Sequence, residues 1–167
     1  ELNIEIDSKI NESLCLINIA NTLTKQGKFE ESEKDLDKAK ELLDGAQDKN
    51  YKAHLYMAYA DLYIHKKEFY EAIHFVNDAM AVAEEIELKD LIMDCYKLYS
   101  DCYVGLTDFE KAHEYLKKYY DLKSDIFSKE MYEKIKNLQY KYERETALKE
   151  AETQKKRGEE LEKALKQ

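Results

Sequence analysis

Proline and tryptophan are absent from this 167-residue chain, and glycine occurs only four times. An all-β fold draws on proline and glycine at its turns, so their scarcity excludes one. No stretch approaches the roughly 18 uninterrupted apolar residues of a membrane span, and no signal peptide is visible. Cysteine is limited to Cys15, Cys95 and Cys102, an odd number without a CxxC pair. Thiols scattered in this way suit a reducing compartment better than a disulfide framework, so a cytoplasmic location is expected. Basic charge is also short: the net charge is −9, and residues 128–167 hold 11 basic against 9 acidic side chains, which leaves −11 on the remainder. An acidic body repels phosphate backbones and argues against nucleic-acid binding. It suits a basic or neutral peptide.

What the chain does contain is helix-forming residues in abundance and a period. Phe29, Phe69 and Phe109 are 40 residues apart. The same step links Ser32, Ala72 and Ala112, and it links Ala20, Ala60 and Ser100. It also links Leu16, Tyr56 and Tyr96; Ile19, Tyr59 and Tyr99; Leu23, Tyr63 and Tyr103; and Leu36, Val76 and Leu116. Seven columns in phase make a true internal repeat. Within one unit, Tyr56, Tyr59, Ala60 and Tyr63 form one apolar helical stripe, and Phe69, Ala72, Ile73, Val76, Ala79 and Met80 form a second. The break at His65–Glu68, like the turn-like Gly105, separates two amphipathic helices of a hairpin. Small residues at Ala60, Ala72 and Ala79 allow close helix approach. One hairpin cannot bury both stripes, so neighbours must stack into an all-α solenoid.

This pattern resembles the tetratricopeptide repeat. In the third copy the match runs through Tyr96, Tyr99, Ser100, Tyr103, Asp108–Phe109, Ala112, Leu116 and Tyr119. The unit here is longer than the family's roughly 34 residues, and its closing proline is missing. Three units are expected at about 8–47, 48–87 and 88–127. Residues 1–7 read as the end of a preceding helix, "NIEIDSKINESLC" echoing "EEIELKDLIMDC", with further repeats upstream. Residues 128–167 read as a long C-terminal helix interrupted only by Gly158. Met131, Ile135, Leu138 and Tyr142 form a seam expected to cap the array, and beyond it Leu148, Leu161 and Leu165 are sparse. A weak coiled coil, dimeric in the parent protein, and a solvated helix with Glu–Lys pairs both fit.

The run from Tyr119 to Glu143, through Leu122, Lys123, Asp125, Phe127, Ile135, Leu138, Gln139 and Tyr142, is similar to the junction between repeat arrays and connecting helices in bacterial signalling proteins. These include sensor histidine kinases, diguanylate cyclases and some helix-turn-helix regulators. The resemblance implies a sensory or scaffolding segment in which ligand binding alters the array's curvature and repositions the final helix. Two alternatives stay open: a segment of a peptide-sensing, quorum-sensing-type transcriptional regulator, and a static scaffold.

An enzyme is not expected. His54, His65, His74 and His113 form no zinc-protease motif, since Lys117 stands where a second histidine would be needed. Cys15 and Cys95 share a column with Leu55, which marks a packing position, and Cys102 lies on the same helix as Cys95. No glycine-rich phosphate loop or nucleophile elbow occurs. No metal or other cofactor is expected. The six column tyrosines read as packing residues with hydroxyls at the rim.

Binding remains. The family pattern implies a groove lined by the free faces of the first helices, here Asn18, Asn21 and Lys25, then His54, Met57, Asp61 and His65, then Lys97 and Asp101. Asparagines there could hold an extended peptide by its backbone, and Asp61 and Asp101 could pair with basic side chains. A merely solvated face is the competing view. The family's carboxylate clamp for chaperone tails is excluded, because its slots hold Ile17, Asn21, Ala58, Asp94 and Leu98, of which only Asn21 fits.

Overall fold

The computed structural model describes the backbone of residues 2–44 and 48–165. Side chains are described from residue 8 to 157 apart from 45–47, 135, 138, 139 and 142. Six helices make up the described residues: α1 (Leu2–Lys25), α2 (Phe29–Asp44), α3 (Lys49–His65), α4 (Phe69–Glu85), α5 (Lys89–Gly105) and α6 (Phe109–Leu165). The chain divides into two compact units, Glu1–Lys123 and Ser124–Gln167.

In the first unit, α1 pairs with α2 and α3 with α4, and α5 leads by a short turn into the start of α6. Each hairpin is closed by the same backbone device. Gly27, Lys67 and Thr107, one 40-residue column, adopt φ of 76°, 63° and 59°. That left-handed residue bends the chain so that the next amide donates back across the turn: Lys28 N to Leu23 O at 3.0 Å, Glu68 N to Tyr63 O and Asp108 N to Tyr103 O at 2.9 Å. These are the bonds that satisfy the last carbonyls of a helix. Between hairpins, Glu87 (φ 53°) repeats the device.

Gly105 is not a turn residue, contrary to its appearance in the sequence. It ends α5, and a Cβ there would fall 2.2 Å from the Phe69 ring. Its glycine is a matter of space, giving the aromatic of the preceding hairpin room to lie on the helix backbone.

The small-residue columns bring helix backbones together within each hairpin. Ala20, Ala60, Ser32 and Ala72 are fully buried, and Ala112 and Ser100 nearly so. The approach is close enough for a hydroxyl on one helix to reach a carbonyl on the other: Ser32 Oγ donates to Ala20 O at 2.8 Å, and Ser100 Oγ to Ala112 O at 2.9 Å. Between hairpins, Leu36, Ala39 and Leu43 of α2 meet Leu55, Tyr59 and Leu62 of α3. Val76 and Ala79 of α4 meet Cys95, Tyr99 and Cys102 of α5. Each buried leucine or valine there contributes about 1.5–3 kcal/mol.

The tyrosine ladder faces inward and carries hydrogen bonds at its rim. Tyr59 donates to Asp37 and Tyr63 to Glu33, both at 2.6 Å, and Tyr99 donates to Asn77 at 2.5 Å. Phe75 stacks on Tyr59 and Tyr63, and Tyr115, one period later, stacks on Tyr99 and Tyr103. Cys95 and Cys102 are buried, as packing positions should be, and burial pushes both thiols up to about 12. Cys15 departs from expectation and is exposed. No hairpin precedes α1 among the described residues, so the column that covers Leu55 and Cys95 is open at Cys15.

In the second unit, α6 continues through Gly158, which does not interrupt it. Met131 and Leu148 are exposed. The remaining seam positions Ile135, Leu138 and Tyr142, like Gln139, Leu161 and Leu165, have side chains outside the described residues.

Candidate functional site

Every hairpin begins with a helix whose one face packs against its own partner and its neighbours, leaving another face free. Because the unit is 40 residues, equivalent positions on α1, α3 and α5 lie side by side in rows. One row is Leu14, His54 and Asp94; the next are Ile17, Met57 and Lys97, then Asn18, Ala58 and Leu98; the last complete row is Asn21, Asp61 and Asp101. These rows, with Lys25 and Tyr51, line an open cavity of about 530 Å³.

Eight of the nine residues expected from the sequence come together there: Asn18, Asn21, Lys25, His54, Met57, Asp61, Lys97 and Asp101. His65 does not line the cavity. It sits in the last turn of α3, and its Nδ1 donates to Asp61 O at 2.9 Å, 3.6 Å from the Asp61 carboxylate. Ile17, Ala58, Asp94 and Leu98, named from the sequence as groove slots that lack the clamp chemistry, line the cavity as well, and the lining residues not named there are Leu14 and Tyr51. Leu14 follows from stepping 40 residues back from His54, so the period held that signal. Tyr51 had none.

The floor is apolar where Ile17 and Ala58 are buried, and its walls are polar. Its acids are clustered on α3 and α5. Burial raises the Asp101 carboxyl above its ordinary value; Lys97 opposes the shift and the facing Asp61 adds to it. Burial likewise raises Asp94, reinforced by Asp90 and opposed by His54 and Lys97. Carboxylates held this way carry charge at a cost that a guest cation would relieve. The α1 side is different, with two carboxamides and Lys25. Among the described residues, no three His, Cys, Asp or Glu side chains are placed to hold a metal ion. No described helix is long and apolar enough to cross a membrane.

The family model described as "Tetratricopeptide repeat" matches residues 12–85 and 51–125. Among solved structures, the chain is similar to the TPR domain of Arabidopsis FLU, with 20% identity, a TM-score of 0.62 and coverage of 68% of this chain and 95% of that one. It is also similar to a TPR-like protein from Chlorobium tepidum TLS, with 15% identity, a TM-score of 0.58 and coverage of 72% and 83%. Comparison with curated proteins gave no match.

Proposed function

The chain belongs to the tetratricopeptide repeat family, and from that premise we propose that its α1–α3–α5 groove holds an extended peptide carrying basic side chains. Repeats of this family make protein-binding or scaffolding modules, and the fold is in general a non-catalytic one. The observation that carries the finer reading is the row Asn21, Asp61 and Asp101 on one wall of the cavity. A lysine or arginine seated by Asp61 and Asp101 relieves the repulsion between them. Asn18 and Asn21 offer donors and acceptors to a peptide backbone, which gives affinity with little demand on sequence. Partly exposed ion pairs contribute only about 0.2–1 kcal/mol each, so charge here selects more than it tightens.

The module is read as a sensory or scaffolding segment of a larger bacterial signalling protein, of the histidine kinase or diguanylate cyclase kind. Support comes from α6, one uninterrupted helix from the third hairpin to Leu165. The three free thiols support a cytoplasmic position.

Fluorescence anisotropy with labelled ten-residue peptides tests the groove. Basic peptides should bind, acidic ones should not, and Asp61→Lys with Asp101→Lys should weaken binding by about tenfold or more, in line with like-charge juxtaposition. Equal binding of acidic and basic peptides, or an unaffected double variant, would sink the reading.

A further inference from the structure

Charge and apolar surface alternate along the helices that line the groove. On α5 one face runs Asp94, Leu98 and Asp101, in steps of four and three residues that stack side chains on one side of a helix. On α3 the same steps give His54, Ala58 and Asp61, and all six residues line the cavity. His54 acts on Asp94 and Asp61 acts on Asp101 from the facing helix, so polar groups stand at both levels. The level between them is apolar. Leu98 and Met57 are half-buried there, and Ala58 is 4% exposed. In a column shared with Asn18 and Leu98, the short side chain of Ala58 leaves room above it.

Resting on the peptide-binding reading above, we propose that Met57, Ala58 and Leu98 seat one apolar side chain of the guest. The ligand class is then a peptide in which an apolar residue is bracketed by basic residues two positions to either side.

The spacing supports this pattern. Asp94 and Asp101 are about two helical turns apart, roughly 10 Å along α5, with Leu98 between them. Side chains on one face of an extended peptide recur at every second residue, roughly 6.6 Å apart. An apolar side chain on Leu98 therefore leaves its two same-face neighbours near the acids, within reach of the flexible stem of a lysine. Charge fixes the kind of occupant. Among the lining residues of α3 and α5, the carboxylates of Asp61, Asp94 and Asp101 stand against the single ammonium of Lys97. An uncharged apolar segment would cover these carboxylates and leave them unpaired, a loss that flanking lysines remove. Met57 is unbranched and adapts its shape, so the seat reads apolar character more than side-chain identity.

Fluorescence anisotropy of the full 167-residue chain with three labelled peptides tests this. Each peptide has ten residues, serine except where stated, with lysine at positions four and eight. The first has leucine at position six, the second has serine there, and the third has its leucine at position one instead. The first should bind about tenfold or more tightly than either of the others, the scale set by burying one leucine. Leu98→Asn gives α5 the carboxamide that α1 carries in that column, and it should shrink the preference to within about twofold. Circular dichroism checks that the variant folds; if it does not, the wild-type comparison decides alone. Equal affinity for the first and second peptides overturns the apolar seat and leaves the basic-peptide reading standing. Equal affinity for the first and third overturns the bracketed pattern. No binding of any of the three overturns both readings together.

Discussion

Thr107 and Lys67 occupy a backbone conformation that their side chains disfavour, at φ of 59° and 63°. The left-handed region costs a residue with a Cβ roughly 1–2 kcal/mol, and a β-branched residue suffers most. Glycine removes that cost but adds unfolded-state entropy of about 0.4–1 kcal/mol. Thr107→Gly is therefore expected to raise stability by about 0.5–1 kcal/mol and Lys67→Gly by somewhat less, while Gly27→Ala lowers it by about 1 kcal/mol. Urea denaturation checks all three, and a destabilised Thr107→Gly would contradict the assignment. This column was hidden in the sequence, where only Gly27 advertises it. The converse error concerns Gly105, whose neighbours suggest a turn although the glycine answers to the Phe69 ring. Composition at one position cannot separate a demand for conformation from a demand for space.

The hairpins are equivalent in sequence and inequivalent in burial, and the difference has energetic consequences. Leu36 and Leu116 share a column, but one is wholly buried and the other 38% exposed. Truncating a buried leucine costs about 2–5 kcal/mol through lost transfer energy and the cavity left behind. A half-covered position can relax, so the same change at Leu116 should cost under about 1 kcal/mol in dilute solution. Thermal unfolding of Leu36→Ala and Leu116→Ala should reproduce that order; equal losses would mean that the last hairpin is covered like the others. The 40-residue columns made the helices, their pairing and the small-residue ladders legible, because helical period and repeat period reinforce one another. They did not reveal which faces stay open, since Ile19 and Tyr59 stand in one column with 50% and 4% exposure. Covering depends on a neighbour, and periodicity records the position without it.

At the scale of the whole array, the first helices line up to form one cavity with acids from α3 and α5 on its wall. The groove was largely legible because its rows are again 40-residue steps; what was not legible was Tyr51, which no column marks, and the turning of His65 toward the Asp61 carbonyl. The raised carboxyls of Asp94 and Asp101 give the site a pH signature; His54 and Asp61 act on them from α3, and Asp90 and Lys97 from their own helix α5. An acid raised in the folded state binds its proton more readily there. Its charge therefore costs stability above the raised pKa, and that cost vanishes below the ordinary value of 3.8. Asp101→Asn should thus raise the melting temperature at neutral pH, with a gain that fades on acidification through that window. Affinity for a basic peptide should fall over the same window, and the variant should flatten its profile. The central claim, that the inner rows hold a basic peptide, is tested most directly by ¹H–¹⁵N correlation spectra of the chain titrated with a lysine-bearing peptide. Shifts confined to amides near Asn18, Asn21, Met57, Asp61, Lys97 and Asp101, with Tyr70 and His74 on α4 unmoved, are the predicted result. Shifts centred on α2 and α4, or none at saturating peptide, would contradict it.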